Sequence, residues 1–302
     1  MLGLRQAQSA FKRQSVQNPS PSQPTPPPQS SIERWCWDLI VCETLDGKLR
    51  PGTPPKASDE GNWEIDAPAR RLSSPGRPPE WVVCERSPKA PRKGALVHIE
   101  QRARLLHTLA HHELQAAELF AWALLAFPET PVAFRKALLH LAQDELRHLH
   151  LYLAHLETLG HAYGDWPVRD WFWQRVPSSP DALHFVAFVG LGLEGANLEH
   201  AARFAEWFRA AGDEPGALVL DQVEREEIAH VTTAHTWFER FSGEALHYDR
   251  WAELLPKPLS PALLRGLPLN REARVRAGLP LEFLERLEGA SPAHLPAKRN
   301  ES

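Results

Sequence analysis

The sequence predicts an all-α protein whose centre is a four-helix bundle. Four stretches carry apolar residues at helical spacing and are separated by breaks containing Pro or Gly: 97–126, 131–159, 181–211 and 215–241. The second and fourth stretches each contain Glu-x-x-His, as Glu145 to His148 and as Glu227 to His230. Residues at i and i+3 share one face of a helix, so each motif directs a carboxylate and an imidazole toward the same point.

Before these stretches, the chain shows little helical patterning. Residues 1–34 form a polar, Pro-rich leader with little to bury, and we expect it to be disordered. Residues 35–95 begin with the short apolar segment 35–41, after which Pro, Gly and charged residues dominate. We expect an irregular N-terminal wrap that is anchored on the bundle by its tryptophans: Trp35, Trp37, Trp63 and Trp81.

The bundle is predicted to occupy residues 96–242. A Pro-containing connection at 127–131 joins its first two helices. Residues 161–180 contain Gly and several prolines and are too long for a turn between neighbours, so we expect a long crossover between helices 2 and 3. Asp181 is the predicted N-cap of the third helix.

A C-terminal extension, residues 243–302, is expected to pack on the outside of the bundle. Prolines interrupt the segment 256–280 repeatedly, so long helices are excluded there. Two short helices remain compatible with the sequence, at 271–277 and 281–287.

The first and third helices each supply one more glutamate inside an apolar run. Glu113 precedes Glu145 by 32 residues, and Glu194 precedes Glu227 by 33. Positions three, four and seven residues from these glutamates are apolar with few exceptions, which predicts that the carboxylates face the core. A single Glu-x-x-His is usually a solvated helix pair, whereas this repeated arrangement indicates a metal site. The predicted ligands are Glu113, Glu145, His148, Glu194, Glu227 and His230.

Glu118 competes with Glu113 as the ligand from the first helix. Glu113 and Glu145 each lie 14 residues from the connection 127–131, so both are ~21 Å along their helices from that connection. Glu118 is displaced from this level by ~7.5 Å and has polar and aromatic neighbours on its face, so it is not predicted to bind metal.

The ligand from the third helix is chosen on other grounds. Glu194 and Glu199 both lie within about one turn of the level of Glu227. The apolar face around Glu194, and its alignment with Glu113 in a two-fold repeat of helical hairpins, favour Glu194.

Four carboxylates in one core require compensation. An unpaired buried carboxylate costs several kcal/mol, and four would exceed the ~5–15 kcal/mol stability of a domain. Two divalent cations would balance their charge, with two neutral imidazoles completing the set. Mixed carboxylate and imidazole ligation suits two iron ions, with manganese possible, and donor type alone also leaves zinc open.

Two further groups of residues have two interpretations each. Asp144 and Glu226 directly precede the motif glutamates and either accept the second N–H of the ligand histidines or are solvated. The aromatic residues at 166–173 either line a substrate opening or simply pack over the bundle.

Composition places the chain in a broad class. The net charge of −4 gives no support to nucleic-acid binding through phosphate neutralisation. The three cysteines, Cys36, Cys42 and Cys84, are odd in number and lack C-x-x-C spacing, which favours a reducing compartment. No signal peptide is visible, and the longest apolar run, 185–193, is too short to span a bilayer. We therefore expect a cytoplasmic protein without a membrane partner.

At these motifs the chain resembles the ferritin-like di-iron superfamily, which includes rubrerythrins, bacterioferritins, manganese catalases and tRNA-modifying di-iron hydroxylases. It is most similar to an uncharacterised bacterial ferritin-like family of unknown function, over roughly residues 35–288. The resemblance implies a ferritin-like bundle and assigns the same six ligands. The segments that resemble this family are Ser74-Pro75-Gly76-Arg77-Pro78, the run from His112 to Leu119, the run from Asp144 to His148, Tyr163-Gly164-Asp165, the run from Asn270 to Arg274, and Ala277-Gly278-Leu279.

These observations lead to three functional hypotheses. The first is an oxidoreductase in which a di-iron or di-manganese centre activates oxygen or peroxide, with an unknown substrate. The second is metal oxidation, storage or sequestration without an organic substrate, and the third is a structural role without metal. Small-molecule oxidants are the expected partners, and RNA stays open as a substrate only through the hydroxylase relatives.

Overall fold

The computed structural model describes residues 24–86 and 90–291. All regular secondary structure in these ranges is helical, and the one isolated β-bridge there joins Val83 to Val168. The all-α prediction is therefore confirmed for the described chain. Most of the predicted disordered leader, residues 1–23, lies outside the described residues.

The first two helices lie where the sequence predicts disorder or irregular chain. Helix α1 spans Ile32–Val41, with Ser31 as its N-cap, and α2 spans Leu45–Leu49. The prediction of disorder is wrong for the described part of the leader, since the Arg70 side chain donates to the Thr25 carbonyl at 2.7 Å and α1 packs on the bundle. The physical reason is an apolar stripe at helical spacing: Ile32, Cys36, Leu39 and Ile40, all at most 1% exposed.

Two long antiparallel helices follow. Helix α3 spans Ile99–Ala126 and α4 spans Val132–Thr158, and they pack along each other as a hairpin. Gly160 follows the C-cap Leu159 of α4, and its φ of +81° is the left-handed conformation that favours glycine after a helix. The predicted boundaries of both helices are correct to within two residues.

The third long segment is not a uniform α-helix. A short helix α5, Ala182–Phe185, starts at the predicted N-cap Asp181, whose carboxylate accepts from the backbone N–H of His184 at 2.9 Å. The chain then continues as a π-helical segment, Val186–Glu194, and as helix α6, Gly195–Ala210. The sequence predicts a single α-helix over 181–211, so the π-helical segment corrects that prediction.

Helix α7, Glu214–Ser242, packs against α6, the π-helical segment and α4. Gly190 allows the π-helical segment to pack close to α7, because a Cβ atom there would lie 2.4 Å from the Cβ of Ala234 on α7. The four long segments therefore share one core, and the crossover 161–180 runs between the two hairpins as irregular chain with one short turn of 3-10 helix, Val176–Ser178.

In its described residues, 243–291, the C-terminal extension forms three short α-helices: α8, Tyr248–Glu253; α9, Arg271–Arg276; and α10, Leu281–Glu288. Helix α9 packs on α6 and α7, and the indole N–H of Trp251 in α8 donates to the Ala187 carbonyl at 2.8 Å. The two predicted tail helices are confirmed. Nowhere in the described ranges is a helix long and apolar enough to cross a membrane.

Candidate metal centre

The six predicted ligands converge in the core from four helical segments. Their side chains form two groups with potential ligand atoms within 4.8 Å of one another, and Glu145 and Glu227 belong to both groups. Each group could hold a metal ion. The first consists of Glu113, Glu145, His148 and Glu227, and the second of Glu145, Glu194, Glu227 and His230.

His148 is the centre of the first group. Its Nδ1 lies 3.8 Å from Glu113 Oε2, 3.5 Å from Glu145 Oε2 and 3.7 Å from Glu227 Oε1. Two atoms that bind one ion at about 2.1 Å each are at most about 4.2 Å apart. All three separations are therefore compatible with a shared ion.

His230 occupies the corresponding position in the second group. Its Nδ1 lies 2.8 Å from Glu145 Oε1, 3.1 Å from Glu227 Oε2 and 3.9 Å from Glu194 Oε2. The two imidazole rings lie side by side with centroids 5.5 Å apart. The two groups thus face each other across the shared carboxylates of Glu145 and Glu227.

The inward-facing polar atoms lack hydrogen-bond partners among the described residues. Both carboxylate oxygens of Glu145, Glu227 Oε2, and the Nδ1 atoms of His148 and His230 are buried and form no hydrogen bond of suitable geometry, although some of them lie within ion-pair distance of one another. Buried polar atoms are nearly always satisfied, because leaving them unpaired costs about 1–3 kcal/mol each, more for charged groups. Metal ions would satisfy these same atoms, so the residues present fit a metal centre.

Without metal, burial and the neighbouring charges shift the pKa values of the cluster residues strongly. Burial and the neighbouring Glu145 raise the pKa of Glu113 well above its ordinary value, and burial and Glu227 do the same to the pKa of Glu194. Burial alone would lower the pKa of His148, but the carboxylates of Glu113 and Glu145 raise it to about 11. The metal-free cluster therefore holds protons that cations would displace.

The carboxylates just before the two motifs lie beside the histidines of the opposite motifs, but only one of them forms a hydrogen bond with its histidine. His148 Nε2 lies 2.8 Å from Glu226 of the other motif, whereas His230 Nε2 lies 3.6 Å from Asp144 and has no hydrogen-bond partner among the described residues. The Arg147 guanidinium contacts both of these carboxylates. Because Nε2 of His148 faces outward to an acceptor, its Nδ1 is directed to the cluster. The structure therefore supports the acceptor interpretation for Glu226 and not for Asp144.

Asn197 is a residue at the centre that sequence reasoning left without a role. Its side-chain amide donates to Glu227 Oε1 at 2.9 Å, which fixes one oxygen of a shared carboxylate. The signal in the sequence was its position three residues after Glu194, on the same helix face.

The two rejected acids lie outside both groups. Glu118 is fully buried and accepts hydrogen bonds from Lys48 at 2.6 Å, from Arg77 at 2.6 and 2.8 Å, and from the indole of Trp173 at 2.8 Å. Glu199 accepts from Arg274 at 2.7 and 2.8 Å. Both carboxylates are therefore already neutralised by cations of the protein.

Comparison with known proteins assigns the chain to a family. Residues 45–285 match a family described as "Protein of unknown function (DUF455)", which is most of the chain and includes all six cluster residues. The chain belongs to the DUF455 family. A similar protein from Haemophilus influenzae (strain ATCC 51907 / DSM 11121 / KW20 / Rd), described as an uncharacterized protein, is 29% identical over 202 residues, covering 64% of this chain and 69% of the relative. No solved structure matches the chain significantly.

Proposed function

We propose that this protein is a ferritin-like dinuclear-metal protein, an oxidoreductase that activates oxygen or peroxide at a di-iron centre, with di-manganese as the alternative. The observation that carries the proposal is the pair of four-residue groups that share Glu145 and Glu227. Two hairpins, α3–α4 and α6–α7, joined by a long crossover support a ferritin-like four-helix bundle over residues 96–242.

Under this proposal, each residue of the centre has a distinct task. Glu113 and His148 would bind one ion, Glu194 and His230 the other, and Glu145 and Glu227 both. Bound iron or manganese would supply the redox chemistry toward oxygen or peroxide. Asn197 orients one shared carboxylate, and the hydrogen bond between His148 Nε2 and Glu226 keeps the Nδ1 of His148 turned inward.

The experiment is metal analysis of protein purified from iron-replete and manganese-replete cultures, with optical spectra and assays of oxygen and peroxide consumption. We expect about two transition-metal ions per chain. Glu145→Ala and Glu227→Ala should lose both ions, because each removes a ligand from both groups. Glu157→Ala, an exposed substitution on the same helix as Glu145, is the matched control and should retain them.

The outcomes separate the alternatives. Wild-type protein without metal under both conditions would refute the centre. Accumulation of many iron ions per chain, rather than about two, would favour metal oxidation and storage over the oxidoreductase.

The free state of Cys36, Cys42 and Cys84 supports the further proposal that the protein works in the reducing cytoplasm.

A further inference from the structure

A cavity of about 180 Å³ lies beside the candidate metal centre. Five parts of the chain form its wall: α3 with Ala116, the crossover with Phe172, the π-helical segment with Leu193, α6 with His200, and the C-terminal extension with Leu263 and Leu264. Of the crossover aromatics, Trp171 and Phe172 line this cavity, whereas Trp166 packs on His107 and the buried Trp173 donates to Glu118. Both interpretations from the sequence therefore apply, each to two of the four residues.

The cavity reaches the centre from one side. Glu113 and Glu194 form part of its wall and are 4% and 5% exposed. The shared carboxylates of Glu145 and Glu227 are fully buried and lie behind them. A molecule in the cavity would therefore contact the non-shared carboxylate of each group.

The lining has the chemistry of a site for uncharged molecules. Apolar side chains dominate, and within the described chain no lysine or arginine contributes to the wall. The polar contributors apart from the two glutamates are His112, Asn197 and His200. Burial lowers the pKa of His200 to about 4, so this imidazole is neutral near pH 7 and can donate or accept one hydrogen bond. In the metal-free chain, an anionic molecule would find no cation in the described wall to compensate its charge.

The volume of the cavity limits the size of the molecules that can bind in it. In another protein, an engineered apolar cavity of about 150 Å³ binds benzene. The cavity here is of similar volume but has neutral hydrogen-bonding groups in its wall. It suits one ring, or an aliphatic group of similar bulk, that carries an uncharged polar substituent.

We propose that this cavity binds the organic substrate of the centre, and that the substrate is a neutral molecule about one ring in size with a hydroxyl or similar uncharged polar group. The assignment of the bound molecule as substrate rests on the proposed function. Binding itself is a property of the cavity and can be measured without metal.

The test uses two probes of similar size and different charge, para-fluorobenzyl alcohol and para-fluorobenzoate. Each is titrated with the metal-free full-length chain and observed by fluorine NMR. We expect saturable binding of the alcohol and at least about tenfold weaker binding of the anion, because burying an uncompensated charge is unfavourable. Equal or tighter binding of the benzoate would overturn the proposal.

Two pairs of variants locate the binding site. Ala116→Phe fills the cavity and should weaken binding of the alcohol at least about tenfold, since no space is left for the ring. Ala154→Phe, at an exposed position on α4, should leave binding unchanged. Leu263→Trp narrows the mouth at a residue that is 48% exposed, and Leu267→Trp, at 56% exposure outside the cavity, is its control.

The Leu263 pair keeps the test decisive even if Ala116→Phe does not fold. Unchanged binding in Leu263→Trp, or in Ala116→Phe where this variant folds, would overturn the proposal.

Metal loading separates failure of this inference from failure of the proposed function. With Mn²⁺ bound, the fluorine relaxation rate of the bound alcohol should rise at least about tenfold over that with Zn²⁺, because the cavity wall includes the carboxylates of Glu113 and Glu194. Metal binding without alcohol binding would overturn only the cavity assignment. Alcohol binding without any metal binding would overturn the proposed function and the substrate role together.

Discussion

Glu113 and Glu118 lie five residues apart on α3 and are both buried, but their surroundings give them opposite properties. Burial alone would raise the pKa of Glu118, yet Arg77 and Lys48 hold it below the ordinary value. Burial and Glu145 raise the pKa of Glu113. Glu118 is therefore a permanently charged structural group, whereas Glu113 becomes fully charged only beside a cation.

This contrast predicts opposite effects of two identical substitutions. Glu113→Gln should lose metal while changing the stability of the metal-free protein by less than about 1 kcal/mol, since it removes a repelling carboxylate. Glu118→Gln should keep the metal but cost about 3–5 kcal/mol, because it leaves buried cations unpaired. Metal analysis and urea unfolding of the metal-free proteins measure both effects. Metal loss in Glu118→Gln with intact Glu113→Gln would show that the ligand assignment is reversed.

His107 is a second residue with a defined charge state. It is 2% exposed, its Nε2 accepts the backbone N–H of Gly164 at 3.0 Å, and burial together with His111 lowers its pKa to about 4. A protonated imidazole cannot accept that hydrogen bond. The folded state therefore needs His107 neutral.

Stability should fall as the pH falls from about 6.5 to about 4, because the unfolded chain binds a proton at His107 in this window and the folded chain does not. The loss from this group is at most about 3 kcal/mol. Urea unfolding across this range should show a smaller loss in His107→Gln than in the wild type, since glutamine does not titrate. The exposed His98→Gln is the control and should keep the full loss; equal losses in all three proteins would contradict the prediction.

At the residue scale, local sequence patterns separated Glu113 from Glu118 because the neighbours that decide it lie within two helical turns. The partners of Glu118 could not be predicted in the same way. Lys48 and Arg77 are 70 and 41 residues away in sequence, and only the packing of α2 and the N-terminal wrap on α3 brings them together. Asn197 was missed because its position three residues after Glu194 does not by itself show that its amide reaches Glu227, 30 residues away in sequence.

Among the elements, helices with clear ends were predictable and the π-helical segment was not. Proline, glycine and the Asp181 cap mark the ends of the long helices in sequence. Residues 186–193 of the π-helical segment are continuously apolar, so their periodicity does not distinguish an α-helix from a π-helix. Helix α1 was missed although its apolar spacing was visible, because the preceding prolines favoured irregular chain.

The packing of the π-helical segment on α7 yields a double-mutant prediction. Gly190→Ala should cost about 1–3 kcal/mol, because the new methyl would lie 2.4 Å from the Cβ of Ala234. Adding Ala234→Gly should recover part of this cost by removing the opposing methyl, and urea unfolding of the four proteins gives the coupling. Gly94→Ala, where a Cβ meets nothing within 4 Å, is the control. Additive costs in the double variant would show that the two residues do not clash.

At the scale of the whole molecule, the N-terminal wrap and the C-terminal extension each bind the bundle through an ion pair between an arginine and a buried glutamate. Arg77 from the N-terminal wrap binds Glu118 on α3, and Arg274 from α9 binds Glu199 on α6. Each glutamate follows its cluster glutamate, Glu113 or Glu194, by five residues. The extensions are thus part of the two-fold repeat rather than an external addition to it.

Removing the Arg274 side chain should therefore destabilise the folded protein. Arg274 is fully buried, so Arg274→Met leaves the Glu199 carboxylate without its cation and should cost about 3–5 kcal/mol. Arg276→Met, at an exposed position of the same helix, should change stability by no more than about 0.5 kcal/mol. Guanidinium unfolding monitored by circular dichroism gives both values, and similar costs for the two variants would show that the buried ion pair is not important.

The sharing of Glu145 and Glu227 has a consequence for the assembly of the two hairpins. Each four-residue group takes three side chains from one hairpin and one from the other, so neither hairpin alone contains a complete group. A bound ion would act as a crosslink between α4 and α7 rather than as a support for either hairpin. A chelator should then weaken the packing between the two hairpins before it affects either hairpin alone. If the chain is cleaved within the crossover, its two fragments should stay associated only while the ions are bound.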